Sequence, residues 1–131
     1  MSEPLRVFVY GSLMRGLKFS HLMNGAELQG TAFTQGAYDL FDLGPYPAAS
    51  PGGERALCGE LYEIDTTILR RLDELEGHPE LYRRALRPVS DGSPAWLYEI
   101  VRGPGVGERL HQAPRVTGGD WRRWLALRDA I

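Results

Sequence analysis

The sequence predicts an α+β fold, because strand patterns and helix patterns alternate along one chain. Runs rich in β-branched and aromatic residues predict strands at residues 5–10, 27–35, 37–43, 57–64, 81–89 and 95–102. Apolar residues at helical spacing predict helices at residues 65–76 and 120–130. The chain has 131 residues, and no repeat or linker divides it. We therefore expect residues 1–131 to form a single domain.

Charge and hydropathy argue against several kinds of partner. The formal net charge of −2 provides no electrostatic basis for binding nucleic acid. No apolar run approaches the ~20 residues of a membrane-spanning helix, and the N-terminal residues lack a signal-peptide pattern. We expect a cytoplasmic protein that binds neither nucleic acid nor a membrane, and the sequence makes no prediction of its oligomeric state.

The cysteine and histidine content argues against a metal site. Cys58 is the only cysteine, which excludes an intrachain disulfide and a metal site built on paired cysteines. Its position within a predicted strand favours a buried structural thiol over a nucleophile. The three histidines, His21, His78 and His111, show no ligand spacing. We expect no bound metal and no cofactor.

The first predicted strand, residues 5–10, ends in a glycine-bracketed turn. Gly11 and Gly16 allow the backbone to turn tightly and to direct N–H groups at a bound anion. The turn lacks the Gly-Lys-Ser/Thr ending of a phosphate-binding loop. Residues 17–24 then predict a short helix that Gly25 ends.

The middle of the chain combines strands with a proline-rich segment. The runs 27–35 and 37–43 are predicted as two separate strands joined at a turn. Residues 44–53 contain three prolines and three glycines and are predicted as a stiff loop. Within the next strand, 57–64, Gly59 predicts a bulge or a close approach of another backbone.

The helix predicted at residues 65–76 turns one carboxylate inward. Asp65 is placed to cap its start and Gly77 to end it. At about 100° per residue, the aliphatic side chains span about 120° of the helix, and Glu76 falls within that arc. These side chains are Ile68, Leu69, Leu72 and Leu75. Burial and a place at the helix end both raise a carboxyl pKa, which suits a general base or acid, whereas the alternative is a glutamate that bends out to water.

The segments 81–89 and 95–102 are predicted to form a hairpin. By the period of two along a strand, Trp96, Tyr98 and Ile100 share one face, which we expect to point inward. The Tyr98 hydroxyl is then either part of a site or a core group satisfied by a backbone carbonyl.

The C-terminal part is predicted as a turn-rich tail and a closing helix. Residues 103–107 hold three glycines and a proline, and we expect no helix to open directly after them. Asp120 is placed to cap the helix at 120–130, which docks through a stripe that includes Trp121 and Trp124.

Five short motifs occur in a fixed order between residues 5 and 122. They are Tyr10-Gly11-Ser12-Leu13, Gly44-Pro45-Tyr46-Pro47, Leu72-Asp73-Glu74-Leu75-Glu76-Gly77 with Tyr82 and Arg84 beyond, Ala95-Trp96-Leu97-Tyr98, and Gly119-Asp120-Trp121. Each motif alone is unspecific, but the ordered set resembles the γ-glutamylcyclotransferase family, also called AIG2-like. The resemblance implies a small mixed β-barrel with flanking helices and a cavity at its mouth.

The resemblance also implies an activity and a site. Members of the family cyclise the γ-glutamyl group of a small substrate to 5-oxoproline and release the attached amine or amino acid, without a cofactor. Glu76 matches the catalytic glutamate. The residues implied to bind substrate are Tyr10, Gly11, Ser12, Leu13, Tyr82 and Tyr98. Leu13 resembles the branch that acts on γ-glutamylamines, since the branch for γ-glutamyl-amino acids tends to have Asn there.

The residue types suit this chemistry. The α-amine of the substrate must attack its own side-chain carbonyl as the free base, yet it is an ammonium near neutral pH. A glutamate within reach can take that proton and later deliver one to the departing amine. Two alternatives stay open: a binding module on the same fold without turnover, and a hydrolase in which Glu76 activates water. A Glu rather than a Gln at position 76 favours an enzyme.

Overall fold

The computed structural model of the protein describes residues 5–130, in which six strands and three α-helices form. The elements are β1 (Leu5–Val9), β2 (Glu27–Asp42), β3 (Pro47–Pro51), β4 (Arg55–Ile64), α1 (Thr66–Leu75), β5 (Tyr82–Pro88), β6 (Pro94–Ile100), α2 (Val106–Gln112) and α3 (Trp121–Arg128). A short 3-10 helix, Ser20–Met23, stands where the sequence predicts a short helix. None of the helices in this part of the chain is long and apolar enough to cross a membrane.

The strands form one mixed sheet in the order β3-β2-β4-β1-β6-β5. Strand β1 pairs antiparallel with β4 and parallel with β6. Three strands separate β2 from β5 in the sheet, yet Thr34 of β2 forms an antiparallel bridge with Val89, just beyond β5. This bridge shows that the sheet curls strongly. The predicted α+β class with a small mixed barrel is confirmed in the form of a curled half-barrel with three helices.

Helix α1 begins and ends close to its predicted boundaries. The Asp65 carboxylate accepts a hydrogen bond of 2.8 Å from the backbone N–H of Ile68, which caps the first turn. Glu76 is the C-cap, and Gly77 follows with φ +64°, a left-handed conformation that glycine adopts without strain. Leu75 is 42% exposed, so the predicted apolar arc is wrong at this position.

Two predictions for the middle of the chain are wrong. The predicted pair of strands is one strand, β2, with a register irregularity between Phe33 and Ala37. Its neighbour β4 pairs with it on both sides of the irregularity, which keeps the chain extended there. The predicted loop 44–53 contains β3, whose prolines are tolerated because β3 is an edge strand with one unpaired side.

The prediction for the turn-rich tail is also wrong. Helix α2 opens directly at Val106, with Gly105 at φ +82° as its N-cap, so the expectation of no helix here is wrong.

The β5–β6 hairpin forms as predicted. On strand β6 Tyr98 is buried, as predicted for the inward face. Trp96 is only half-buried and carries the Arg84 guanidinium 4.5 Å above its ring, so the predicted inward face is wrong at this residue.

Two further local predictions are confirmed. A Cβ atom on Gly59 would lie 2.3 Å from the carbonyl oxygen of Val9, so the strands approach closely there. The Asp120 carboxylate accepts a hydrogen bond from the Arg123 backbone N–H and caps α3.

Candidate active site

A cavity of about 150 Å³ opens where the chain leaves β1, next to the end of α1 and the start of β5. All seven residues that the sequence implicates in the site line it: Tyr10, Gly11, Ser12, Leu13, Glu76, Tyr82 and Tyr98. The fold thus brings together three segments that are far apart in the sequence. The roles of these residues stay predictions.

Glu76 is the one charged residue among those that line the cavity in the described part of the chain. Its backbone is fixed on both sides, because its N–H donates to Leu72 and its carbonyl oxygen accepts from the Tyr82 N–H at 3.2 Å. Its carboxylate accepts no hydrogen bond from residues 5–130. Burial raises the pKa of this carboxyl to about 7. The carboxylate is therefore free to bind a substrate proton donor and to exchange protons near neutral pH.

The turn after β1 provides hydrogen-bond donors. The Met14 N–H donates to the Gly11 carbonyl oxygen at 3.0 Å, which closes a four-residue turn. Ser12 and Leu13 occupy the central positions of this turn, and within residues 5–130 their backbone N–H groups donate to no acceptor. Both residues line the cavity. The turn can therefore hold a carboxylate or a developing oxyanion.

The three cavity tyrosines that the sequence implicates each donate their hydroxyl proton to a hydrogen bond within the protein. The Tyr10 hydroxyl donates to the Tyr98 carbonyl oxygen at 2.6 Å, and the Tyr82 hydroxyl donates to the Pro47 carbonyl oxygen at 3.0 Å. The Tyr98 hydroxyl donates to Oδ1 of Asp73 at 2.7 Å, so its partner is a carboxylate and not the backbone carbonyl that the sequence left as an alternative. Burial is the main cause that raises the pKa of all three hydroxyls. These oxygens offer only lone pairs to a ligand.

Sequence reasoning missed seven residues of the lining, which are Phe8, Val9, Phe19, Tyr46, Pro47, Leu75 and Leu81. Phe19, Leu75 and Leu81 make part of it apolar, and Leu75 and Leu81 are each more than two-fifths exposed, at 42% and 43%. Tyr46 also lines the cavity, next to Pro47. Tyr46, Pro47 and Leu75 lie inside motifs that the sequence displays, whereas nothing local marks Phe19 and Leu81 as cavity residues.

The other groups of interest are the cysteine and the potential metal ligands. Cys58 does not line the cavity, is half-buried rather than buried, and has its thiol pKa raised mainly by burial, as suits an unreactive thiol. Within residues 5–130 no group of three or more His, Cys, Asp or Glu side chains is arranged to hold a metal ion.

The fold is thus a curled half-barrel with a small cavity, and Glu76 is the one carboxylate that lines it within residues 5–130. The chain belongs to the γ-glutamylcyclotransferase family, because the family model described as "Gamma-glutamyl cyclotransferase, AIG2-like" matches residues 7–123. The resemblance drawn from the sequence motifs is thereby confirmed. Family membership supports a cyclotransferase-type activity on small γ-glutamyl substrates.

Individual relatives agree with this assignment. The chain is 40% identical over 117 residues to the γ-glutamylcyclotransferase family protein YtfP of Escherichia coli K12, covering 89% of this chain and 96% of that protein. It is 36% identical over 115 residues to a putative γ-glutamylcyclotransferase of Vibrio cholerae, covering 88% and 93%. Among solved structures, an AIG2-like protein from Mus musculus is similar with a TM-score of 0.77 at 26% identity, covering 91% and 90%.

Proposed function

We propose that this protein is a cofactor-independent cyclotransferase that converts a γ-glutamyl amine to 5-oxoproline and the free amine. The proposal rests on Glu76, whose carboxyl has a pKa of about 7 and no hydrogen-bond partner within residues 5–130. It shares its cavity with the backbone N–H groups of Ser12 and Leu13, which donate to no acceptor in the same range. A base and an anion-binding turn in one small cavity are what an intramolecular acyl transfer requires.

The reaction begins with proton removal. Glu76 accepts a proton from the α-ammonium of the substrate, and the freed amine attacks the γ-carbonyl carbon to form a five-membered ring. The carbon–nitrogen bond to the leaving amine then breaks. In total the α-nitrogen loses two protons and the departing nitrogen gains two, with Glu76 as the relay, so the carboxylate is regenerated.

The remaining cavity groups have complementary parts in this scheme. The hydroxyl oxygens of Tyr10, Tyr82 and Tyr98 present lone pairs, which suit an ammonium group more than an anion. The N–H groups of Ser12 and Leu13 suit a substrate oxygen that carries negative charge. Donors and acceptors thus favour a zwitterionic γ-glutamyl group.

The lining also favours an amine over an amino acid as the leaving group. A γ-glutamyl-amino acid carries a second carboxylate, and no Lys, Arg or His lies among the described residues that line the cavity. The apolar side chains of Phe19, Leu75 and Leu81 instead suit a hydrocarbon chain. Leu13 points to the same branch of the family by resemblance.

The test is to incubate the protein with γ-glutamyl-alkylamines, γ-glutamyl-lysine isopeptide and γ-glutamyl-amino acids and to measure products by mass spectrometry. We expect 5-oxoproline, with the amines as better substrates. Glu76→Gln keeps the shape but removes the proton acceptor, and should lower kcat by about 10²–10⁴. Release of glutamate would instead identify a hydrolase, and binding without any product would identify a binding module.

A further inference from the structure

We propose that Tyr46 is a further catalytic residue, whose hydroxyl donates a hydrogen bond to the γ-carbonyl oxygen of the substrate as that oxygen gains negative charge. The proposal rests on the cyclisation proposed above and assigns a second kind of donor to it. Tyr46 lies in the motif Gly44-Pro45-Tyr46-Pro47, and the family resemblance drawn from the sequence implies no role for it.

The Tyr46 hydroxyl has a proton available for a ligand. Five lining residues carry a hydroxyl: Tyr10, Ser12, Tyr46, Tyr82 and Tyr98. Four of these donate to groups that only accept, namely the carbonyl oxygens of Tyr98, Pro45 and Pro47 and the carboxylate of Asp73. The Tyr46 hydroxyl makes no hydrogen bond within residues 5–130. Of the described lining hydroxyls, it alone has a proton to offer to a ligand.

The backbone around Tyr46 is held in place by hydrogen bonds. Tyr46 lies between β2 and β3, with a proline on each side. The Ser12 hydroxyl donates to the Pro45 carbonyl oxygen at 2.6 Å, and the Tyr82 hydroxyl donates to the Pro47 carbonyl oxygen at 3.0 Å. The Tyr46 carbonyl oxygen itself accepts from Leu43 at 3.0 Å. Two cavity hydroxyls therefore fix the loop that carries the third, which preorganises a donor.

Tyr46 and Glu76 line the same cavity of about 150 Å³. Tyr82 lines it as well, and its hydroxyl donates to the carbonyl oxygen of Pro47, the residue after Tyr46. Glu76 must reach the attacking nitrogen and the departing nitrogen, and both are bonded to the γ-carbonyl carbon during the reaction. That carbon, and the oxygen on it, therefore lie near Glu76, in the cavity that Tyr46 also lines.

The donor role needs no proton transfer. A phenol is a weak acid, so its hydroxyl stabilises an oxyanion by hydrogen bonding while it keeps its proton. The bond strengthens as the carbonyl oxygen becomes negative and weakens when the carbon–nitrogen bond breaks. An interaction made mainly in the transition state acts on kcat and leaves KM almost unchanged.

The experiment compares Tyr46→Phe with wild type and with Tyr62→Phe in the 5-oxoproline assay. Tyr62 is a matched control, because its hydroxyl bonds to Glu60 and it does not line the cavity. We expect Tyr46→Phe to lower kcat by about 10²–10³ with KM within about threefold, and the control to keep wild-type kinetics. Thermal unfolding of all three proteins shows whether the variants keep the fold.

Each other outcome overturns the proposal. A Tyr46→Phe protein that keeps its kcat, or that only raises KM, would show that the hydroxyl does not act on the transition state. A variant that fails to fold would show that the hydroxyl is structural. If wild type itself releases no 5-oxoproline from any γ-glutamyl substrate, the proposed function fails and this inference with it, whereas an active wild type with an equally active Tyr46→Phe refutes this inference alone.

Discussion

The Tyr98 hydroxyl donates a hydrogen bond of 2.7 Å to Oδ1 of Asp73, one helical turn before Glu76. The same carboxylate accepts from Nε of Arg84 at 2.9 Å, and the side chains of this ion pair are only 24% and 21% exposed. A hydroxyl that lines the cavity is therefore oriented by a charge on the helix that ends at the proposed base.

Replacing Asp73 by Asn should lower stability. The change removes the charge that both partners use and leaves the Arg84 guanidinium without its counterion in a mostly buried place. We expect a loss of about 1–3 kcal/mol, measured by chemical denaturation. Asp129→Asn is the control, since Asp129 also pairs with an arginine but is 62% exposed, and it should change little. Equal stability of the Asp73 variant and wild type would contradict the prediction.

Gly11→Ala should disturb the site by steric contact. A Cβ atom at Gly11 would lie 2.7 Å from Cδ and 2.8 Å from Cγ of Pro47, the first residue of β3, whose carbonyl oxygen is held by the Tyr82 hydroxyl. We expect a loss of about 1–3 kcal/mol and reduced turnover, measured by thermal unfolding and the 5-oxoproline assay. Gly36→Ala is the matched control, because nothing lies within 4 Å of its added Cβ. A fully stable and active Gly11→Ala would show that Pro47 yields freely.

The pH dependence of kcat/KM should report the ionisation of Glu76. A general base works only when deprotonated, and burial raises the pKa of this carboxyl to about 7. Activity should therefore fall as the pH drops through about 7, approaching a tenfold loss for each further pH unit. Initial rates between about pH 5 and 9 test this. A rate that stays constant down to about pH 5 would exclude Glu76 as the base with this pKa.

The stability of Glu76→Gln should depend on pH in a defined direction. Burial raises the folded-state pKa from 4.5 to about 7, so the folded protein binds this proton more tightly than the unfolded chain. The wild type gains nothing from this group below 4.5, loses stability between 4.5 and about 7, and bears the full cost above that. Glutamine does not ionise, so the variant should match wild type near pH 4.5 and exceed it at pH 8, by up to about 3 kcal/mol.

Unfolding temperatures of both proteins at these two pH values provide the measurement. Glu74→Gln is the control, because it makes the same substitution at an exposed position of the same helix. A Glu76→Gln protein that is less stable than wild type at pH 8 would mean that the carboxylate is held by favourable contacts.

The sequence by itself determined the local elements on which the site depends. The cap at Asp65, the stop at Gly77 and the placement of Glu76 on the face of α1 follow from spacing within a few turns of helix. The turn at Gly11 and the hairpin of β5 and β6 are likewise formed by residues close in the chain. Periodicity and capping are short-range properties, so a single sequence displays them.

Only the tertiary structure decided the features that depend on distant partners. Strand β3 exists because β2 pairs with it, although its own composition of proline, alanine and serine predicts a loop. The direction of the cavity hydroxyls is set across long separations, 88 residues between Tyr10 and Tyr98 and 35 between Tyr82 and Pro47. Whether a cavity hydroxyl donates a hydrogen bond within the protein depends on acceptors that the folded sheet brings into reach. The Tyr46 hydroxyl has no such acceptor within residues 5–130.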